Sequence, residues 1–209
     1  MVIAAIAPIV PIAPISLIAL IALISSINPL TPTTALARDE PAAAASRRMA
    51  DGKQWTTRNL SVKIDQSYCY ENADENCEKY GRLYTWDAAQ RACPSLGAGW
   101  RLPTDDEWRQ LAKPYGGVSA DAADEGKSAY SALIRDGRSG FNAVLGGGRE
   151  PNDGTYARGA AHGFYWTSTS TPGDVANAVF YNFGRGGQAL HRQPEGEKQR
   201  AFSVRCIKD

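Results

Sequence analysis

Cys69, Cys77, Cys93 and Cys206 are the residues of this 209-residue chain with the widest chemical reach. A thiol can ligate a metal, act as a nucleophile or close a disulfide. The spacing speaks against a metal site, because no C-x-x-C pair occurs and His162 and His191 lie far along the chain from any cysteine. Either histidine could serve a Ser/His/Asp hydrolase, yet no nucleophile-elbow pattern accompanies them. An even cysteine count behind an apolar leader reads as two structural disulfides. Three pairings are open. Cys69 and Cys77 bracket the polar stretch YENADEN and could clip it locally. Cys93 and Cys206 would then tie the early part of the domain to its last strand, a closure that constrains the unfolded chain by about 4–5 kcal/mol in the chain-entropy model. No catalytic residue is assigned, and the chain is not expected to be an enzyme.

The elements that would position these residues follow from periodicity and turn chemistry. Leu60–Ile64 alternates and predicts a strand. Thr85–Cys93 predicts a helix with Trp86, Ala89 and Cys93 on one face. Thr104-Asp105-Asp106-Glu107 spells a capping box, opening a helix that turns Trp108 and Leu111 inward and ends before Pro114. A third helix is predicted over Glu125–Asp136. After Gly140, short apolar runs alternate with Gly, Pro, Asn and Asp: Phe141–Leu145, Phe164–Ser168, Ala178–Phe183, Ala189–Arg192 and Ala201–Ile207. These predict antiparallel strands and long loops. Two to three helices followed by strands define an α+β domain.

Residues 1–37 carry no charged side chain, and Ile15–Ile24 is apolar with one Ser. Ala35-Leu36-Ala37 then offers a small-x-small cleavage site, so 1–37 reads as a signal peptide. An uncleaved membrane anchor is the alternative, although Pro8, Pro11, Pro14 and Pro29 interrupt any helix. Residues 38–50 (RDEPAAAASRRMA) read as a linker, leaving 51–209 as one domain of about 160 residues. The net charge is +1, which argues against a nucleic-acid partner. Lys and Arg between Arg185 and Arg205 alternate with Glu195 and Glu197, as on a solvated face.

Several motifs occur in a fixed order: DGKQW (Asp51–Trp55), Asn59-Leu60, SYCYENADENCEKYGRLYTWDAAQRACP (Ser67–Pro94), GWRLPTDDEW (Gly99–Trp108), SGFNAVLGGGRE (Ser139–Glu150), GFYWTSTS (Gly163–Ser170) and FSVRCIKD (Phe202–Asp209). Together they closely resemble the Fibrobacter succinogenes major paralogous domain family, over about Asp51 to Asp209. The resemblance implies a C-type-lectin-like fold, close to the formylglycine-generating-enzyme subtype. In that fold a disulfide joins the first helix to the final strand, which here implies Cys93 with Cys206. It also implies exported, often surface-attached proteins without an established enzyme activity. Relatives in the same fold are variable, ligand-binding proteins of diversity-generating retroelements, whose varied residues lie near the C-terminus. The corresponding stretch here is Trp166 to Gln193.

Within that stretch Trp166, Ser168, Ser170, Asn177, Val179, Tyr181, Arg185, His191 and Gln193 form the expected ligand-contacting set. Aromatic rings give contact area at low entropic cost, and short polar side chains adapt their hydrogen bonds. Alternation assigns Ala178, Phe180 and Leu190 to the core and Val179, Tyr181, His191 and Gln193 to the outside. Trp166 also fits a core position, being part of the GFYW motif. Glu150-Pro151-Asn152 matches the triplet with which sugar-binding C-type lectins hold calcium. Its WND partner is missing, with Phe164-Tyr165-Trp166-Thr167 in that region, and Pro-Asn-Asp-Gly is ordinary turn chemistry. No metal or cofactor is therefore expected, calcium at this loop being the one alternative. The oxidase chemistry of formylglycine-generating relatives needs two neighbouring late thiols, and Cys206 stands alone.

The expectation is a secreted or cell-surface binding protein whose partner is a protein or glycan at a cell surface. It meets no nucleic acid, and touches a membrane only through an uncleaved N-terminal segment. A structural cell-envelope module without a discrete ligand is the alternative, and an oxidase or hydrolase ranks behind both.

Overall fold

The computed structural model describes Pro11 and residues 45–209. The expected signal segment 1–37 and the first residues of the expected linker lie outside the described residues. The folded unit begins earlier than Asp51. Strand β1 (Ser46–Arg48) pairs antiparallel with β2 (Gln54–Thr56), and Met49 is buried in the core. The turn between them is built by the DGKQW motif. The Asp51 carboxylate accepts from the Trp55 indole N–H at 2.8 Å, while Gly52 takes the left-handed conformation that a Cβ would strain. The Ala-rich run before it concealed this strand, which has a single apolar anchor, Met49.

Leu60–Ile64 buries alternate residues as expected but forms no strand. Its bonds are irregular: the Leu60 N–H donates to the Val204 carbonyl at 2.9 Å, the Tyr84 hydroxyl to the Val62 carbonyl at 2.7 Å, and the Ile64 N–H to Ser67 Oγ at 3.1 Å. Strand β3 (Ser67–Tyr68) follows. The polar YENADEN stretch is largely helical, with α1 at Asp74–Tyr80 clipped by the Cys69–Cys77 disulfide. Only Cys77 of α1 is buried, so no apolar stripe announced it; Asp74 and Glu75 favour its first turn through the helix dipole. Strand β4 (Leu83–Tyr84) pairs with β3 and leads into α2 (Trp86–Ala92), which Thr85 precedes as N-cap.

Helix α3 (Asp105–Ala112) has the full capping box. The Glu107 N–H donates to Thr104 Oγ1 at 3.2 Å, and Glu107 Oε2 accepts from the Thr104 N–H at 2.9 Å. Trp108 and Leu111 are fully buried, and the helix gives way to a 3₁₀ turn containing Pro114. Helix α4 (Lys127–Leu133) is shorter than its expected span. Among the described residues there are four helices, one more than expected, the difference being α1. Phe141–Leu145 forms a single parallel bridge, Ala143 with Ile134, rather than a strand. Its carbonyls are claimed otherwise: Arg205 donates to those of Phe141 and Asn142 at 2.7 and 2.6 Å.

The later strands are β5 (Gly148–Arg149), β6 (Tyr156–Ala157), β7 (His162–Ser170), β8 (Asn177–Gly184), β9 (Ala189–Glu197) and β10 (Ile207–Lys208). β7, β8 and β9 form an antiparallel meander, and β1, β2 and β10 a small sheet with β2 in the middle. Residues 201–207 are fully buried and thread between these sheets, touching Tyr84, Arg149 and Tyr165 by isolated bridges. The fold is α+β, with helices first and the main sheet last.

Two hydrophobic clusters flank the meander. One gathers Trp55, Trp108, Phe141, Tyr165, Tyr181 and Phe183; the other gathers Tyr84, the alanines of α2, Trp166, Phe202 and Val204. The second cluster contains the Cys93–Cys206 disulfide, which fastens the end of α2 to the chain's last buried segment.

Candidate functional site

The meander presents two unlike faces. Register puts Tyr165, Tyr181, Phe183, Leu190 and Arg192 on one of them. Except for Arg192, these side chains are buried, and Trp108 stacks on Tyr181 with ring centroids 5.0 Å apart and planes at 16°. The Tyr181 hydroxyl donates to Asp105 Oδ1 at 2.9 Å. Arg192 closes on the same carboxylate, Nε to Oδ1 at 2.8 Å and Nη2 to Oδ2 at 2.8 Å. Burial first, then the Asp105 charge, pushes the Tyr181 phenol far above its ordinary pKa. The hydrogen bond to Asp105 raises that of Arg192. Neutral phenol, carboxylate and guanidinium thus pin β8 and β9 to the first turn of α3.

The other face carries His162, Phe164, Phe180, Asn182, His191 and Gln193, all partly exposed. Register sets Phe164 beside Asn182, Asn182 beside His191, and Phe180 beside Gln193. The His162 ring stacks on Phe164 at 5.5 Å and its Nδ1 lies 2.9 Å from Asn182 Oδ1. Phe164 and Phe180 meet edge-on at 5.9 Å. His191 Nδ1 lies 2.8 Å from Ser119 Oγ, which orients the ring. The result is a row of aromatic rings bordered by an amide, two imidazoles and a second amide. Such a row offers apolar contact to a ring or side chain and directed hydrogen bonds at its edges.

The expected contact set is only partly assembled there. His191 and Gln193 are on the open face. Trp166 is not accessible: its indole N–H donates to the Tyr84 carbonyl at 2.8 Å and its ring packs 4.5 Å from Phe202. Val179 and Tyr181 are also fully buried, against expectation, while Ala178 is buried as expected and Phe180 packs against the second cluster, so both faces of β8 are covered. Phe183 is in phase with Tyr181, and Val179, Tyr181 and Phe183 together outweigh Ala178, Phe180 and Asn182 in apolar area. Both faces of β8 are packed at the Ala178 end, where Gly196 leaves room for the Phe180 and Trp166 rings. A Cβ at Gly196 would lie 2.7 Å from each. Ser168, Ser170 and Asn177 gather at one end of the sheet, beyond a register shift in β7. There Ser170 Oγ accepts from Lys198 Nζ at 2.9 Å and Asn177 donates to Asp174 at 2.6 Å. Arg185 stands at the opposite end, in the β8–β9 turn.

His162, Phe164, Phe180 and Asn182 were missed. The in-phase pair His162-x-Phe164 and the parity of Asn182 with Phe180 were the signal available for them. Glu150, first residue of the calcium-like triplet, is held by Arg200 through two contacts of 3.0 Å. Among the described residues no three His, Cys, Asp or Glu side chains group as a metal cage. All four cysteines are paired, Cys69 with Cys77 and Cys93 with Cys206. Among the described residues no helix is long and apolar enough to cross a membrane.

A comparison with family models matches residues 42–208 to the Fibrobacter succinogenes major domain. No curated protein and no solved structure matches the chain.

Proposed function

The chain belongs to the Fibrobacter succinogenes major domain family, and from that membership we propose that it is an exported, non-enzymatic binding module on a C-type-lectin-like scaffold. The open face of the β7–β8–β9 sheet is its recognition surface, and a protein or glycan at a cell surface is its partner. Residues 1–37 direct export, with cleavage after Ala37, and the product is secreted or held at the cell surface.

One observation carries this reading. Asn182, His191 and Gln193 are partly exposed on a sheet face whose Phe164 and Phe180 pack against the second cluster, while the opposite face is locked into the first. Asn182, His191 and Gln193 can change without touching the Trp108–Tyr181 packing or the Trp166–Phe202 cluster, which is also what diversification by a retroelement would require. The rival reading, a structural envelope module, draws support from the internal bonds of His191, Ser170 and Asn177, which occupy part of the expected contact set.

A glycan- and protein-array screen of the full chain tests the proposal, repeated with Asn182→Ala, Gln193→Ala and His191→Ala. Loss of a polar or aromatic anchor should weaken a bound partner by about tenfold or more. Binding that survives all three replacements, or no binding at all, rejects the open face as the recognition surface. Tyr181 is unsuitable for this purpose, since its removal would open the core.

A further inference from the structure

A cavity of about 340 Å³ lies away from the open face, between the ends of α1 and α4, the 143–145 segment and the β8–β9 turn. Tyr80, Tyr130 and Leu145 contribute to its apolar wall. Lys79, Arg135 and Arg185 supply its charge, and no Asp or Glu lines it. All three cations are exposed, and none makes an ion pair among the described residues. Arg135 reaches across the gap, its Nη2 donating to the Lys79 carbonyl at 3.5 Å. Lys79 Nζ sits 4.8 Å from the centre of the Tyr80 ring.

The positive potential is reinforced from beneath. Arg205 is fully buried and bonded only to neutral oxygens, those of Thr56, Asn59, Phe141 and Asn142. Arg135 and Arg205 line the same neighbouring cavity, and burial, with a smaller part from the like charge of Arg135, lowers the Arg205 pKa. A neighbouring cavity of about 620 Å³ shares Lys79, Tyr80 and Arg135, but Glu78 and Asp136 in its lining offset the charge. On a chain of net charge +1, three cations around one cavity whose lining holds no Asp or Glu are a local concentration rather than a general surplus.

We infer that this cavity is a second binding site, independent of the open sheet face, for the uronic-acid end of a saccharide. A carboxylate matches the planar forks of Arg135 and Arg185. The C–H face of the sugar ring meets the tyrosine and leucine wall. The volume falls at the small end of ligand cavities, suited to a ring or two rather than to a flat protein surface.

Titration calorimetry of the full chain with trigalacturonate tests the site. Binding is expected, weakening severalfold as salt rises to about 0.5 M. Arg135→Ala and Arg185→Ala should each weaken it about tenfold, and Arg185→Lys should restore part of the loss. Neutral trigalactose should not bind, and Asn182→Ala on the open face should leave trigalacturonate binding unchanged. Both arginines are exposed, so unaltered melting curves will separate lost contacts from lost folding. Equal binding of the neutral sugar, indifference to both arginine replacements, or absence of uronate binding overturns the inference. Tighter binding of a sulfated galactose trimer overturns the carboxylate assignment, and equal binding of hexaglutamate overturns the saccharide.

Discussion

Among the described residues Arg205 is a cation without an anion. Its guanidinium donates to three backbone carbonyls and one side-chain amide, and lies 4.5 Å over the Phe141 ring. These bonds connect β2, the 141–142 segment and the closing stretch of chain at one atom group. Lysine offers a point charge with no fork to span them. Arg205→Lys should therefore lower unfolding free energy by about 3 kcal/mol or more, readable by urea denaturation, since hydrogen bonds to charged groups contribute about 1.5–3 kcal/mol each. A loss below 1 kcal/mol would mean that water replaces the missing donors. The same residue explains why Phe141–Leu145 looked like a strand: its composition is strand-like, but its carbonyls are claimed by a side chain 60-odd positions away.

The start of α3 depends on Glu107, which closes the capping box and takes Arg101 in a two-point pair of 2.7 and 2.6 Å. Burial alone would raise its carboxyl. The Arg101 hydrogen bond, the Thr104 N–H and the charges of Arg101 and Lys53 outweigh it and hold the group at about 2. A carboxyl depressed on folding adds stability that is complete above its unfolded pKa, about 4.3, and vanishes as pH falls toward 2. Denaturation midpoints should drop across that window, and Glu107→Gln should be less stable at pH 7 with a flatter acid limb. An unchanged limb would remove Glu107 from the account. This helix was legible because capping is local chemistry, written in Thr104-Asp105-Asp106-Glu107 itself. α2 and the three meander strands were legible for a similar reason, their apolar residues falling at the right intervals. β8 was placed correctly, but Val179 and Tyr181 were wrongly turned outward, because both of its faces pack against clusters built from residues distant in sequence. α1 lacked any apolar stripe. The cavity formed by Lys79, Arg135 and Arg185 could not be read at all, since its cations come from three separate elements.

Across the whole molecule, the two disulfides act over very different spans. Cys69–Cys77 closes 8 positions and Cys93–Cys206 closes 113. The chain-entropy model assigns about 2.5 kcal/mol to the short closure and nearly 5 to the long one. Replacing Cys93 and Cys206 by alanine should cost roughly twice as much stability as replacing the other pair, by chemical denaturation of the two double variants. Equal costs would show that strain or packing, not chain entropy, sets their value. The small β1–β2–β10 sheet has another effect. Arg47 and Ile207 both face Trp55 from opposite sides, so the described chain enters and leaves within about 10 Å. A fold whose doorway and exit coincide can be spliced into a surface loop of a larger host, or strung in tandem, without forcing either neighbour apart.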